Sequence, residues 1–371
     1  MLKASCPQGA LHEILQIVSR GVSGRSTQPV QNHVFLAADG GRLRLVATDL
    51  EYISLDAQVP ALVLEEGQVT VPGRIFNEIV AGLPGEEVAL EAAVDGKIVI
   101  RCGKAKYDVR GLPAQDFQML PEVVPDAEFS VAENDLHAVL RQTVFACSPD
   151  ETRPILTGAL FEVRADQLIV VATDTYRLAQ RTLPCAGGPE GGRKVIVSAR
   201  VLNELMRILE ADSSDPVTVR LSERLVEFSV RSLKIASRLI EGEYPNYEKV
   251  IPTEQDKTVT VSREALERAL RRALIVGRED AYRVVLRGED SVLRISASAA
   301  EIGQAEEEVD MQLTGEPVEI AFNGRYILDM LDAAGSDEVR ISLSGPLNPG
   351  TLRAADREDY LYVLMPMQIM T

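Results

Sequence analysis

Side chains with the chemistry for catalysis or metal binding are scattered along the 371 residues rather than grouped. The three histidines, His12, His33 and His137, lack metal-site spacing, and no Gly-x-Ser-x-Gly elbow, P-loop or Gly-x-Gly-x-x-Gly motif occurs. Asp49 and Asp174 are the nearest to a pair of acids, but each follows a threonine after an apolar stretch, where an aspartate ordinarily accepts hydrogen bonds from turn amides. We therefore expect no enzyme, cofactor or metal. An enzyme using Asp49 or Asp174 is the alternative from another functional class.

The elements that carry these aspartates recur through the chain. Thr48, Thr173 and Ser298 each end an apolar stretch, and successive members are 125 residues apart. Two further sets of residues repeat in the same register. The first set is a leucine pair at helical spacing, namely Leu11 and Leu15, Leu136 and Leu140, and Leu266 and Leu270. The second set is an arginine that begins another helical stretch, namely Arg74, Arg200 and Arg325. Three agreeing registers indicate an internal triplication.

Each repeat mixes helical stretches with alternating strands and hairpin signals such as Asp95-Gly96, which predicts an α+β unit rather than a doubly wound sheet. Proline-rich segments at 111–125 and 241–252 separate the repeats. We predict three domains, at residues 1–121, 127–252 and 253–371. The four scattered cysteines, the absence of an apolar run of membrane-spanning length and the absence of a signal sequence favour a cytoplasmic protein.

Basic residues follow the predicted helices although the net charge is −17. Eight arginines lie on or beside the first or second predicted helix of a repeat; they are Arg20, Arg141, Arg268, Arg271, Arg272, Arg200, Arg207 and Arg325. Ordinary solvated helix faces would explain this pattern. If the helices instead share one side, that side would be basic and would contact phosphates without regard to base sequence. No aromatic residues interleave with these arginines, which disfavours stacking on single strands.

Several motifs together identify a family. The triplication, Ala-Thr-Asp-x-x-Arg-Leu at 172–178, Gly-Glu-Tyr-Pro-Asn-Tyr at 242–247 and Tyr-Val-Leu-Met-Pro-Met at 362–367 resemble the bacterial DNA polymerase III β subunit, the sliding clamp, along the whole chain. The resemblance implies two crescents of three clamp domains, joined head to tail as a ring, with helices lining the hole and sheets outside. Duplex DNA would be encircled non-specifically at replication forks. Replicative polymerase, clamp loader, other polymerases and repair proteins would dock through short hydrophobic peptides, with no membrane partner.

The resemblance also implies three groups of site residues. The partner-peptide pocket between domains two and three would comprise Leu156, Thr173, Thr175, Tyr176, Arg177, Leu178, Pro245, Lys249, Val250, Asn323, Tyr326, Val363, Met365, Pro366 and Met367. The head-to-tail dimer interface would comprise Lys104, Lys106 and Tyr107 on one side and Leu274, Ile275, Glu306 and Glu307 on the other. The DNA-binding residues would be Arg25, Arg153, Arg200 and Arg207, of which Arg25 and Arg153 have the better family support.

Two positions depart from the family's pattern. Thr175-Tyr176 stands where many members have Gly-His, and Gln368 stands where many have Arg or Lys. The larger Tyr176 would reshape the rim of the pocket, and Gln368 would remove a partner for a carboxylate. A clamp paralogue with an altered partner set is therefore the alternative within the same class of binding proteins.

Overall fold

The computed structural model describes residues 1–22, 29–50, 52–93 and 95–369. Within these ranges the helices are α1 Gln8–Val18, α2 Gly73–Gly82, α3 Glu133–Thr143, α4 Ala199–Ile208, α5 Arg263–Gly277 and α6 Gly324–Ala334. The strands are β1 Leu2–Pro7, β2 His33–Asp39, β3 Arg42–Thr48, β4 Ser54–Pro60, β5 Leu62–Glu65, β6 Gly67–Pro72, β7 Glu87–Ala92, β8 Lys97–Cys102, β9 Ala105–Arg110, β10 Ala127–Ala132, β11 Gly158–Val163, β12 Gln167–Thr173, β13 Arg177–Pro184, β14 Arg193–Ser198, β15 Pro216–Leu221, β16 Leu225–Val230, β17 Leu233–Arg238, β18 Lys257–Ser262, β19 Arg283–Glu289, β20 Val292–Ala299, β21 Gly303–Thr314, β22 Val318–Asn323, β23 Glu338–Leu343, β24 Gly350–Ala354 and β25 Tyr360–Leu364. None of the described helices is both long and apolar enough to cross a membrane.

The element order repeats three times. Each repeat has one strand, a helix, a group of strands, a second helix and three closing strands, beginning at β1, β10 and β18. The first repeat has one more strand than the others because β5 is separate, whereas β21 in the third repeat runs through twelve residues. The two helices of each repeat bury the leucines and other apolar residues that gave the helical period, such as Leu11 and Leu15 on α1.

The described chain packs as two compact units, each taking part of the second repeat. The first unit holds a five-stranded sheet, β5-β1-β7-β8-β9, and an eight-stranded sheet, β10-β15-β16-β17-β4-β3-β2-β6. The second unit holds a twelve-stranded sheet, β14-β11-β12-β13-β25-β24-β23-β18-β21-β20-β19-β22. The predicted domain boundaries therefore remain predictions.

Neighbouring repeats are joined by the same pair of strands within each unit. In the first unit β17, the last strand of repeat two, pairs antiparallel with β4, the fourth strand of repeat one. In the second unit β25, the last strand of repeat three, pairs antiparallel with β13, the fourth strand of repeat two. In both units, therefore, the last strand of a repeat completes the sheet of the repeat before it.

The recurrent Thr–Asp turn has the structural role that the sequence predicts. Thr173 Oγ1 donates to the carbonyl of Arg177 at 2.6 Å, and Asp174 Oδ1 accepts from the amides of Tyr176 and Arg177 at 2.9 and 3.0 Å. In the first repeat, Asp49 Oδ1 accepts from the amides of Tyr52 and Ile53 at 2.8 and 2.9 Å. Both aspartates therefore hold a turn between two strands, as predicted.

Thr175 occupies a strained place in this turn, with a φ of 82°. A β-branched residue is rarely left-handed, and its cost is about 1–3 kcal/mol, whereas glycine adopts this φ readily. We expect Thr175→Gly to stabilise the second unit by about 1 kcal/mol, after the greater flexibility of the unfolded glycine chain is deducted. The midpoint of urea denaturation should rise. Thr182→Gly, within β13, is the matched control and should lower the midpoint; a lower midpoint for Thr175→Gly would contradict the strain.

Candidate functional site

An apolar cluster lies where the second repeat meets the third, inside the second unit. Leu178 on β13 stands opposite Val363 on β25, and both are buried. The cluster consists of Leu160, Ile169, Val171, Leu178, Tyr247, Leu361 and Val363, with Tyr244 and Ile251 packed against it. Alternating strand residues and one face of the linker therefore supply a hydrophobic floor.

All of the predicted pocket residues lie in the second unit, but their exposure differs. The buried members are Leu156, Thr173, Arg177, Leu178 and Val363. The half-buried members are Val250, Asn323, Tyr326, Met365, Pro366 and Met367. The exposed members are Thr175, Tyr176, Pro245 and Lys249. A buried floor beneath partly exposed Met, Pro and Tyr side chains is the arrangement expected of a groove for apolar peptide side chains.

The C-terminal tail is held by main-chain hydrogen bonds. The amide of Met365 donates to the carbonyl of Tyr176 at 2.9 Å, and the amide of Met367 donates to the carbonyl of Ala321 at 2.8 Å. The first bond ties the tail to the Thr–Asp turn, and the second ties it to β22. The backbone therefore fixes the tail while the half-buried methionine side chains remain available for contact.

Arg177, one of the predicted pocket residues, has a side chain that is only 9% exposed. Its Nε donates to Asp174 Oδ2 at 3.0 Å, Nη1 to Asp329 Oδ2 at 2.5 Å, and Nη2 to the Phe145 carbonyl at 2.8 Å. The guanidinium carbon also lies 4.2 Å from the ring centre of Tyr326, at cation–π distance. Asp329 on α6 is the second carboxylate that pairs with this arginine, and no sequence motif indicated it.

Arg177 and Tyr362 each keep one protonation state. Burial lowers the pKa of the Arg177 guanidinium, but the neighbouring Tyr362, Asp329 and Asp174 raise this pKa by more than burial lowers it, so it lies above the ordinary value. Burial likewise raises the pKa of the Tyr362 hydroxyl well above its usual range. That hydroxyl donates to the carbonyl of Tyr326 at 3.0 Å. A charged arginine and a neutral tyrosine therefore persist across the physiological range of pH.

The predicted DNA-contacting arginines are each paired with an acid where the structure describes them. Arg153 Nε lies 2.9 Å from Asp150 Oδ2, and Arg200 Nη2 lies 3.0 Å from Asp49 Oδ2. Arg207 pairs with Glu204 one helical turn away. Arg25 lies outside the described residues. The three described guanidinium groups stay at least 40% exposed, so their pairing leaves them accessible to other anions.

Five of the predicted interface residues lie on or beside strand edges that lack a second partner among the described strands. Lys104, Lys106 and Tyr107 are exposed on or beside β9, the last strand of the five-stranded sheet. Glu306 and Glu307 lie on the half of β21 that pairs with β20 alone among the described strands, and they bind Arg294 and Arg272 at 2.6 and 2.5 Å.

The two predicted helix residues of this interface differ in exposure. On α5, Ile275 is 63% exposed, while its neighbour Leu274 is buried in its own unit. Ile275 therefore offers the apolar surface that a partner could cover, and Leu274 supports it from beneath.

Comparison with known proteins covers nearly the whole chain. Residues 2–121, 130–246 and 248–368 match the families described as the N-terminal, central and C-terminal domains of the DNA polymerase III beta subunit. The chain is 32% identical over 360 residues to the beta sliding clamp of Pseudomonas aeruginosa, covering 97% of this chain and 98% of that one. It is 34% identical over 375 residues to the beta sliding clamp of Synechococcus elongatus, covering 99% and 100%.

Solved structures agree with the sequence comparison. The crystal structure of the DNA polymerase III subunit beta from Pseudomonas aeruginosa has a TM-score of 0.94 and 31% identity, covering 99% of this chain and 100% of that one. A structure of the same subunit bound to griselimycin also has a TM-score of 0.94, at 32% identity, covering 99% and 100%.

Proposed function

Because the chain belongs to the DNA polymerase III beta subunit family and acts as a three-domain sliding clamp, we propose that two copies of it close head to tail around duplex DNA. The ring is not a catalyst. It slides in the cytoplasm at replication forks, and dissociation requires opening the ring rather than breaking phosphate contacts. Weak, sequence-independent contacts from Arg25, Arg153, Arg200 and Arg207 then suffice, even though the net charge is −17.

The observation that carries the head-to-tail interface is the joint that recurs between repeats. The last strand of repeats two and three pairs with the fourth strand of the repeat before it. Only one last strand and one fourth strand among the described elements lack this partner: β9, and the Gly303–Asp310 part of β21. A second copy satisfies both edges at once by the same antiparallel addition of a strand.

The recurrence also predicts the register of this interface. Aligning β9 with β17 and β21 with β4 places Lys106 opposite Glu306 and Tyr107 opposite Ala305. The corresponding pair in the first unit is Lys234 opposite Asp56, again a cation facing an anion. Opposite charges directly across two strands favour this register, because a shift by one residue would bring Tyr107 to Glu306.

We further propose that partner proteins dock their short hydrophobic peptides in the groove above the Leu178–Val363 floor. The support is the buried floor, the half-buried Met365 and Met367, and a related clamp whose structure has griselimycin bound. Replicative polymerase, clamp loader, other polymerases and repair proteins are the proposed partners. Griselimycin is accordingly expected to bind this chain in the same groove.

A topological assay tests the ring. The protein is loaded on a nicked circular duplex by the matching clamp loader, and the circle is then cut once. We expect the protein to be lost on linearisation, because a ring slides off a free end.

In a second arm, Lys106→Cys and Glu306→Cys are joined by a short bis-maleimide, with each single variant as control. Cross-linked protein should stay on intact circles in high salt. Equal retention on circles and lines would overturn encirclement. If the double variant formed no cross-link beyond those of the single variants, the register would be overturned.

A further inference from the structure

Arg177, on β13, is hydrogen-bonded to three other segments around the candidate groove. Asp174 belongs to the turn after β12, Phe145 to a short turn after α3, and Asp329 to α6, and each accepts a hydrogen bond from the guanidinium. A separate bond ties β25 to α6, because the Tyr362 hydroxyl donates to the carbonyl of Tyr326. One buried side chain therefore fixes two segments of repeat two to α6 of repeat three, and β25 is attached to α6 beside it.

The groove residue Tyr326 depends on this network on two sides. Its ring lies against the Arg177 guanidinium, with 4.2 Å between the ring centre and the guanidinium carbon, and its carbonyl accepts from Tyr362 at 3.0 Å. Asp329 lies three residues further along α6, on the same face of the helix. Anchoring Asp329 thus fixes both the position of α6 and the direction of the Tyr326 ring.

The corresponding joint in the first unit has an ion pair at different positions of the repeat. Asp49, the counterpart of Asp174, pairs with Arg200 on α4, and Ile53 occupies the position of Arg177. The Arg200 side chain is 57% exposed, against 9% for Arg177. At the first joint the cation therefore stays largely solvated, although the Asp49 carboxylate is buried. Burying an arginine with three acceptors at the second joint needs another reason, because desolvating a charge is costly.

We propose that Arg177 and Asp329 are positioning residues for partner peptides. They hold the Thr175–Tyr176 rim and Tyr326 at the separation that an incoming peptide needs, and they do not bind the peptide through charge. This inference rests on the proposed function of the groove. Three guanidinium donors are already used within the chain, so the groove selects apolar side chains and gains little from an acidic group directed at Arg177.

Griselimycin affinity of Asp329→Asn in the full-length protein tests the proposal. Loss of the Arg177–Asp329 charge pair should weaken binding by about tenfold, since a buried arginine with a weakened partner lets α6 and the rim move apart. The loss should change little between low and high salt, because the two groups are in direct contact and the arginine is buried, with Asp329 34% exposed. Asp332→Asn, also on α6 but exposed, is the matched control and should bind like the unchanged protein.

Two further variants separate positioning from general destabilisation. Val259→Ala removes buried core volume on β18 and should lower thermal stability while keeping the affinity. Tyr362→Phe removes only the hydroxyl bonded to Tyr326, and should weaken binding less than Asp329→Asn while remaining folded. The proposal would be overturned if Asp329→Asn and Tyr362→Phe bound griselimycin as tightly as the unchanged protein. It would also be overturned if Val259→Ala lost as much affinity as Asp329→Asn. If the unchanged protein did not bind griselimycin, the proposed groove itself would be wrong.

Discussion

An aspartate in place of Ile275 is expected to leave the protein monomeric at micromolar concentration. Ile275 is 63% exposed on α5, above the buried Leu274. In the proposed ring it is covered by the second copy, so Ile275→Asp would bury a carboxylate beside the acidic Glu306 and Glu307 without a new cation. Burying an unpaired charge costs several kcal/mol, and about 4 kcal/mol corresponds to roughly a thousandfold weaker dimer.

Sedimentation velocity measures this outcome directly. Leu347→Asp is the matched control, because Leu347 is also exposed, at 73%, but lies in the loop between β23 and β24, away from β21. That control should remain dimeric. Circular dichroism checks that both variants fold. A persistent dimer of Ile275→Asp would remove α5 from the interface while leaving the strand pairing of β9 and β21 to be tested by cross-linking.

Deleting Met365–Thr371 is expected to abolish peptide docking. The deletion removes the bond between Met365 and Tyr176, the bond between Met367 and Ala321, and two half-buried methionine side chains beside the hydrophobic floor. Each fully buried methionine contributes about 1.5–3 kcal/mol, so the griselimycin affinity should fall at least a hundredfold, at about 1.4 kcal/mol for each factor of ten.

A shorter deletion is the control for this prediction. Removing 368–371 alone keeps both main-chain bonds of the tail and both methionines. Isothermal titration with griselimycin should show near-normal affinity for the shorter deletion and no saturable binding for the longer one. Unchanged affinity of the longer deletion would place the docking site elsewhere.

The sequence was a good guide wherever a few neighbouring residues decide the structure. The Thr–Asp turns could be predicted because each threonine hydroxyl bonds a carbonyl, and each aspartate bonds amides, no more than five residues further along the chain. The triplication was visible because each copy keeps its helical and strand periods. Arg177 was selected by its place in a motif, but its role was not predictable. Asp329 lies 152 residues away, and nothing local indicates that α6 brings a carboxylate to a buried arginine.

The interface residues on α5 could be told apart by the helical period. Leu274 continues the series of Leu266 and Leu270 at a spacing of four residues and is buried, whereas Ile275 lies off that face and is 63% exposed. The pairing of Arg200 with Asp49, in contrast, depends on contact between the first and second repeats. Local period therefore predicts which face of a helix is buried, whereas tertiary packing decides which acid an arginine meets.

The joint that ties the last strand of one repeat to the fourth strand of another has a consequence for the origin of the chain. A single repeat carries both halves of that joint, so an ancestral gene of one repeat could have built a closed ring from identical subunits. Fusion of three copies would have preserved the geometry while freeing each joint to change its residues separately. Asp49 and Asp174 are then two descendants of one ancestral turn residue. The first pairs with Arg200 on the second helix of the next repeat, whereas the second pairs with Arg177, which also binds Asp329 on α6.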